Sequence, residues 1–275
     1  MSLQFKSVIL VCLTALSSVG NAQDLLMQSS ASVGAARIMS VSAVDYLQTV
    51  NPSMNTFAKG LDIHMSYTLP YHIKDLQQIN AKAAYSMPWA TLHVNVGKSG
   101  SDESSYTIAG GGLSRSFGFF SIGMEYNAVI HHLPYNENHV SSFSRIGFHA
   151  VPNNRWTLSV AVHNIEKRGF SYEQYEFDIE PYFFAGAKWK GNDIFTLMCE
   201  VEKGWEHDPT YKVAMAVVPC RWLTTAVGFS TLGHSLTAGI GYINKLMTIH
   251  VGISHDEKLG VTSAASLTLH NIFRQ

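Results

Sequence analysis

Histidines, carboxylates and a few cations carry the chemical potential of this chain, and they recur at alternate positions of short runs. Asp62 and His64 stand two apart in Leu61-Asp62-Ile63-His64-Met65-Ser66-Tyr67-Thr68-Leu69, as His93 and Asn95 do in Leu92-His93-Val94-Asn95-Val96-Gly97. Lys82, Glu125, Arg145, His149, His163, Lys188, Glu200, Glu202, His250 and His270 keep the same parity in their own runs. Such groups can pair as ions, relay protons or ligate a metal. His64, His250 and His270 are the three imidazoles that zinc or copper would suit, but no local ligand spacing joins them, so no metal and no cofactor is assigned. The chain has no GxSxG, no HExxH and no phosphate-cradling glycine loop. In Gly233-His234-Ser235 and His163-Asn164 the reactive neighbours are adjacent, and adjacent residues on a strand face opposite ways. The sequence points away from an enzyme.

The elements that must position these groups follow from composition and periodicity. Of 275 residues, 46% are hydrophobic and only 14% charged, against roughly 25% charged in ordinary soluble domains. Nineteen basic and twenty acidic residues leave no excess to attract nucleic acid. Residues 1–22 read as a secretory leader, with Lys6, the apolar run Val8 to Leu16, and small residues Gly20 and Ala22 before the expected cleavage. No later window holds about 18 unbroken apolar residues, so spanning helices are not expected. Cys199 and Cys220 lack CxxC or Cys/His spacing and are expected to be free thiols.

From Gly60 onward, fourteen runs alternate apolar with polar or tiny side chains, the first near 60–69 and the last near 261–273. That period places each set on one face of a β-strand. The run around Gly110-Gly111-Gly112 is the weakest, and its glycines suggest a bulge. Connections after even-numbered runs are mostly tight, as at Met87-Pro88 and Asn244-Lys245, whereas those after odd-numbered runs are mostly longer and polar. The pattern predicts an all-β fold: a 14-stranded antiparallel transmembrane β-barrel over 60–275, in an outer membrane, with both termini periplasmic. A secreted β-sandwich alternates too, but its polar face would be rich in Lys, Glu and Thr, and here that face is largely Gly, Ser, Ala, Thr and His. Trp89, Trp156, Trp189 and Trp222 all fall beside short turns, the level at which a lipid–water interface favours aromatic rings. The ionisable groups named above, costly against lipid, then face inward, pairing with each other or lining a path.

Residues 23–59 lack strand periodicity and contain the turn Asn51-Pro52-Ser53. Fourteen strands enclose more space than small side chains fill, so this segment is expected to lie inside as a plug, the alternative being a loose periplasmic tail. The long connection Glu166–Asp178 holds Phe170, Tyr172, Tyr175 and Phe177 among charges. It could recognise a protein or form an aromatic collar at the outer leaflet.

A leader, a stretch with Gly34, Ala35 and Arg37, then Asp45, then Asn51-Pro52-Ser53 and fourteen strands resembles the FadL-like barrels, and within them the PorV/PorQ group of Bacteroidota, associated with type IX secretion. Ile38-Met39-Ser40 stands where Met-Gly-Gly is usual in that group, and the chain is shorter than most members. The resemblance implies a non-enzymatic accessory of protein secretion or surface attachment. Its partners would be outer-membrane lipid and secretion-system or exported proteins. The alternative it implies is a channel for a hydrophobic small molecule, for which a kinked or unpaired third or fourth strand would speak.

Overall fold

The computed structural model describes residues 30–42, 46–134, 137–171 and 176–272. The leader, Asp45, Tyr172 and Tyr175 therefore lie outside the described residues. Fourteen strands close into one antiparallel barrel: β1 (Leu61–Leu69), β2 (Gln78–Ser86), β3 (Thr91–Gly100), β4 (Ser105–Phe117), β5 (Phe120–Leu133), β6 (Glu137–Asn153), β7 (Trp156–His163), β10 (Tyr182–Lys190), β11 (Phe195–Gly204), β12 (Thr210–Cys220), β13 (Leu223–Ser230), β14 (Ser235–Ile243), β15 (Met247–Asp256) and β16 (Gly260–Leu269). Each strand pairs with its neighbours in sequence, and β1 closes the ring against β16 from Ile63↔Leu269 to Leu69↔Ser263. Two further strands, β8 (Gly169–Ser171) and β9 (Glu176–Asp178), form a separate hairpin in the connection between β7 and β10.

Closure explains why the alternating pattern is so regular. A ring has no edge strand, so every wall strand satisfies its backbone on both sides, as hydrocarbon requires. The two side-chain sets then divide between inside and outside. In β15, Thr248, His250, Ser254 and Asp256 are buried, while Ile249, Val251 and Ile253 are exposed. The same holds for Val94 and Val96 outside against His93 inside. This distribution is the inverse of a soluble core. Trp89, Phe119, Phe120, Trp156 and Trp222 are exposed beside the short turns, the girdle the sequence predicts.

Two local expectations are corrected. The glycines of β4 make no bulge, since β4 pairs without a register shift to β3 from Thr91↔Ser114 to Gly100↔Ser105 and to β5 from Ser105↔His132 to Phe117↔Phe120. Shifts occur instead between Ala150 and Asn153 and between Val217 and Cys220. Each of these intervals holds a proline (Pro152, Pro219), which cannot donate to the ladder. The wall is also unbroken at the third and fourth strands, where a lateral gap would have marked an entry path. Cys199 and Cys220 are free thiols, Cys199 exposed on the outer wall.

The described part of the N-terminal segment, residues 30–42 and 46–59, packs against inward-facing residues of the strands. It contains a short helix α1 (Ser30–Gly34) and 3-10 turns at Tyr46–Gln48 and Pro52–Phe57. From Ser32 to Val41 and from Leu47 to Asn55 its residues are buried. The inner wall is carved to receive it: a Cβ on Gly147 would lie 1.8 Å from Asn51 Oδ1, and one on Gly123 2.5 Å from the Ser53 nitrogen.

Candidate functional site

The inward residues form two polar networks. The first runs across the wall in one register row. His93 pairs with Gly112, Gly112 with Glu125, Glu125 with Arg145, and Arg145 with His163, on β3 through β7. Because Gly112 has no side chain, His93 Nε2 reaches over it to within 3.3 Å of Glu125 Oε2. Arg145 Nη1 donates to Glu125 Oε1 at 2.9 Å, and Arg145 Nε donates to His163 Nδ1 at 3.2 Å. Gly110 serves the same end one step away, letting Asn95 Nδ2 donate to Asn127 Oδ1 at 3.0 Å. The glycine run is thus a gap through which alternate strands touch. Lys82 faces the same space and donates to the Thr49 carbonyl at 3.5 Å.

The second network holds the N-terminal segment. Glu200 on β11 accepts from the Met39 nitrogen at 3.0 Å, the Ser40 nitrogen at 2.6 Å and the Ser40 hydroxyl at 2.5 Å. Lys212 on β12 donates to Glu200 at 3.0 Å, to Glu202, and to the Arg37 carbonyl at 2.8 Å. A carboxylate out of water is tolerated only with such a set of donors. A further anchor is Asn51: its Nδ2 donates to Ser159 Oγ at 2.7 Å and the Phe148 carbonyl at 3.0 Å, while its Oδ1 accepts from the Ser53 nitrogen and opens the 3-10 turn. Ser114 Oγ donates to the Pro52 carbonyl at 2.6 Å, and Ser53 Oγ lies 3.0 Å from His149 Nδ1. Lys188 donates to the Ser42 carbonyl at 3.0 Å, and Arg37 Nη2 approaches Thr262 Oγ1 at 3.4 Å.

The three imidazoles considered for a metal are spread among different partners. His64 Nδ1 lies 2.9 Å from Thr268 Oγ1, and His270 Nε2 3.0 Å from Thr248 Oγ1 with its Nδ1 3.7 Å from Asp62. His250 packs beneath Gly239 and Gly241. Asp62 also receives the Tyr46 hydroxyl. Among the described residues no His, Cys, Asp and Glu group is arranged to hold a metal ion.

The long-loop mouth carries a lid. Phe170 of β8 is 1% exposed and packs with Ile179 on the inward Ile108, Val129 and Phe143, beside Tyr106, whose ring stacks on His131 at 4.1 Å. Phe170 therefore faces into the barrel and is withdrawn from the outer surface, where the loop was expected to present it. The Phe177 backbone is in β9, and its side chain lies outside the described residues. Asn164 (φ +51°) turns the chain, its side chain donating to the carbonyls of Arg168 and Ile179. At the lid's far end Glu180 accepts from His207 at 2.8 Å, the Glu206 nitrogen at 3.1 Å and the Tyr182 hydroxyl at 2.8 Å. Burial pushes its carboxyl upward, yet these donors outweigh that and hold it below the ordinary carboxylate range.

Sequence reasoning missed two parts. Lys212 alternates with Tyr211 and Val213 in a legible pattern, and parity alone would have turned it inward. The β8–β9 hairpin has strands too short for periodicity to show.

Fold and interior together define a closed antiparallel barrel with an apolar outside and polar networks on its inward face, a fold shared with FadL-like outer-membrane barrels. Among solved structures the chain is similar to the TodX monoaromatic hydrocarbon channel in its deltaS2 mutant form, at TM-score 0.69 and 11% identity over 90% of this chain and 99% of that one. It is similar as well to the CymD monoaromatic hydrocarbon channel (TM-score 0.67, 10% identity, 90% of this chain and 98% of that one). A third likeness is a Pseudomonas aeruginosa FadL homologue (TM-score 0.58, 11% identity, 89% and 98%). At such identities the likeness is one of fold. No family model matches the sequence, and no curated protein matches it.

Proposed function

We propose that this protein is an outer-membrane channel for a hydrophobic small molecule, held shut here by its N-terminal segment as a plug and by the β8–β9 lid. In this reading residues 1–22 are a leader, residues 23–59 form the plug, 60–275 form the barrel, and both termini are periplasmic. One observation carries it: inward apolar patches occupy consecutive strands and descend from the mouth. They begin at Ile108, Val129 and Phe143 on β4–β6, continue at Ala161 and Phe184 on β7 and β10, and end at Met198, Ala214, Ala216 and Ala226 on β11–β13. The lid covers the first patch, and Met39, Val50, Ala35, Ala36, Ile38 and Val41 of the segment cover the others. A pore for polar solutes has no use for such a track, whereas an apolar solute would take the place of the covering side chains at little cost. Two of the solved structures of similar fold are monoaromatic hydrocarbon channels, which supports the same reading.

The test is entry of a hydrophobic fluorescent probe into intact Gram-negative cells expressing the chain. Expression should speed probe entry, Phe170→Ala should speed it further, and uptake of a hydrophilic sugar should stay unchanged. Probe entry equal to that of cells lacking the protein would reject the reading.

A second reading has an observation of its own. The unbroken registers β2–β3–β4 and the packed lumen suit an accessory of protein secretion like the PorV/PorQ group. Co-purification of a stoichiometric exported or secretion protein, without probe entry, would favour it.

A further inference from the structure

The outer wall has a concavity of about 550 Å³ crossing β6, β7, β10, β11 and β12. Its floor is made of small outward residues, Ala150, Ala185, Ala187 and Cys199, between the larger Phe148 and Tyr211. On the strand pair β7–β10 this hollow is the top of three tiers. Leu158 pairs with Ala187 at the hollow, Trp156 pairs with Trp189 next, and the Lys190 nitrogen donates to the Arg155 carbonyl at 2.7 Å last. The two indoles lie 6.4 Å apart. Three residues of strand separate hollow from cations, about 10 Å. Apolar, aromatic and cationic tiers in that order match the depth profile of a lipid at an interface.

Charge continues the pattern around the rim. Among the described residues, the exposed charged side chains at the short-turn end are Lys59, Arg115, Arg155, Lys190, Arg221 and Lys245 against a single carboxylate, Asp193. Asp193 pairs with Lys190 at 2.8 Å, an exposed contact that is worth little and is readily exchanged. The turns bearing Arg155 and Lys190 are both closed by asparagine: Asn153 Oδ1 accepts from the Arg155 and Trp156 nitrogens, Asn192 Oδ1 from the Ile194 and Phe195 nitrogens. The cations are therefore presented on fixed turns.

We propose that this face is a binding site for one anionic glycerophospholipid, its acyl chain in the hollow, its glycerol beside Trp156 and Trp189, and its phosphate on Arg155 and Lys190. The site depends on the barrel lying in a membrane and is independent of what the lumen carries.

The experiment is native mass spectrometry of the full-length barrel in detergent, titrated with phosphatidylglycerol or with phosphatidylcholine of the same acyl chains. Each cation at a membrane surface contributes about fivefold in affinity. With two such cations phosphatidylglycerol should therefore bind roughly 25-fold tighter, and an Arg155→Gln/Lys190→Gln variant should lose that preference. An Arg168→Gln/Lys203→Gln variant at the opposite rim should keep it. Phosphatidylglycerol should also slow alkylation of Cys199, on the floor of the hollow, and leave Cys220 unaffected. Equal binding of the two lipids, a preference that survives the Arg155/Lys190 variant, or a hollow filled by a second copy of the chain would each overturn the site. The variants alter exposed turns, and retained heat-modifiable migration verifies that they fold.

Discussion

The two buried networks use the same chemistry for different joins. The row on β3–β7 ties wall to wall: Glu125 takes Arg145 and His93 from strands on either side. The clamp on β11 and β12 ties wall to segment: Glu200 accepts from the Met39 and Ser40 nitrogens and the Ser40 hydroxyl, and Lys212 donates to the Arg37 carbonyl. The row joins strands of the barrel to one another, and the clamp joins the barrel to its N-terminal segment.

Breaking the clamp should have the largest effect. Glu200→Ala leaves Lys212 buried with one carboxylate and frees the Met39 and Ser40 nitrogens. Loss of one partner of a buried charged set costs about 3–5 kcal/mol. The barrel should still migrate as folded, while limited proteolysis cuts within residues 30–58; a segment as protected as in the native protein would make the clamp decorative.

Gly112→Ala comes next and attacks the row. The added Cβ would sit 2.6 Å from His93 Nε2 and 2.0 Å from the Met124 carbonyl, forcing the wall to shift at about 1–3 kcal/mol. Unfolding should move to lower denaturant with the N-terminal segment still protected. If instead the segment becomes cleavable, row and clamp are one unit and the contrast fails.

The smallest effect lies between the networks, at Glu180 above β10. Its carboxyl is held below its ordinary value, so it favours the folded loop at pH above that value, and this support disappears as pH falls through the depressed folded value. Trp205, whose nitrogen bonds the Pro181 carbonyl, should report the change by fluorescence as the pH falls below the ordinary carboxylate range, and Glu180→Gln should abolish it.

Much of this was legible beforehand because a closed ring makes every strand obey one rule. Parity alone turns Asp62, His64, Lys82, His93, Glu125, Arg145, His149, His163, Glu200, His250 and His270 inward, and all are buried except His270, which is half-buried. Parity does not say which inward groups meet, because that depends on register across strands far apart in sequence. The contact of His93 with Glu125 across Gly112 is of this kind, and reading the glycines as a bulge missed it. The segment had no period to read, so its path along Glu200, Ser159 and Ser114 emerges only from the folded chain. Phe170 was legible as an apolar loop residue but not as a lid, since nothing local says whether an aromatic faces lipid, water or the lumen.

Ion conductance of the purified barrel in planar lipid bilayers tests most directly whether the clamped segment closes the lumen. The native protein should stay non-conducting, and Glu200→Ala should open to steady ionic current. A native protein that conducts like a water-filled pore would contradict the account.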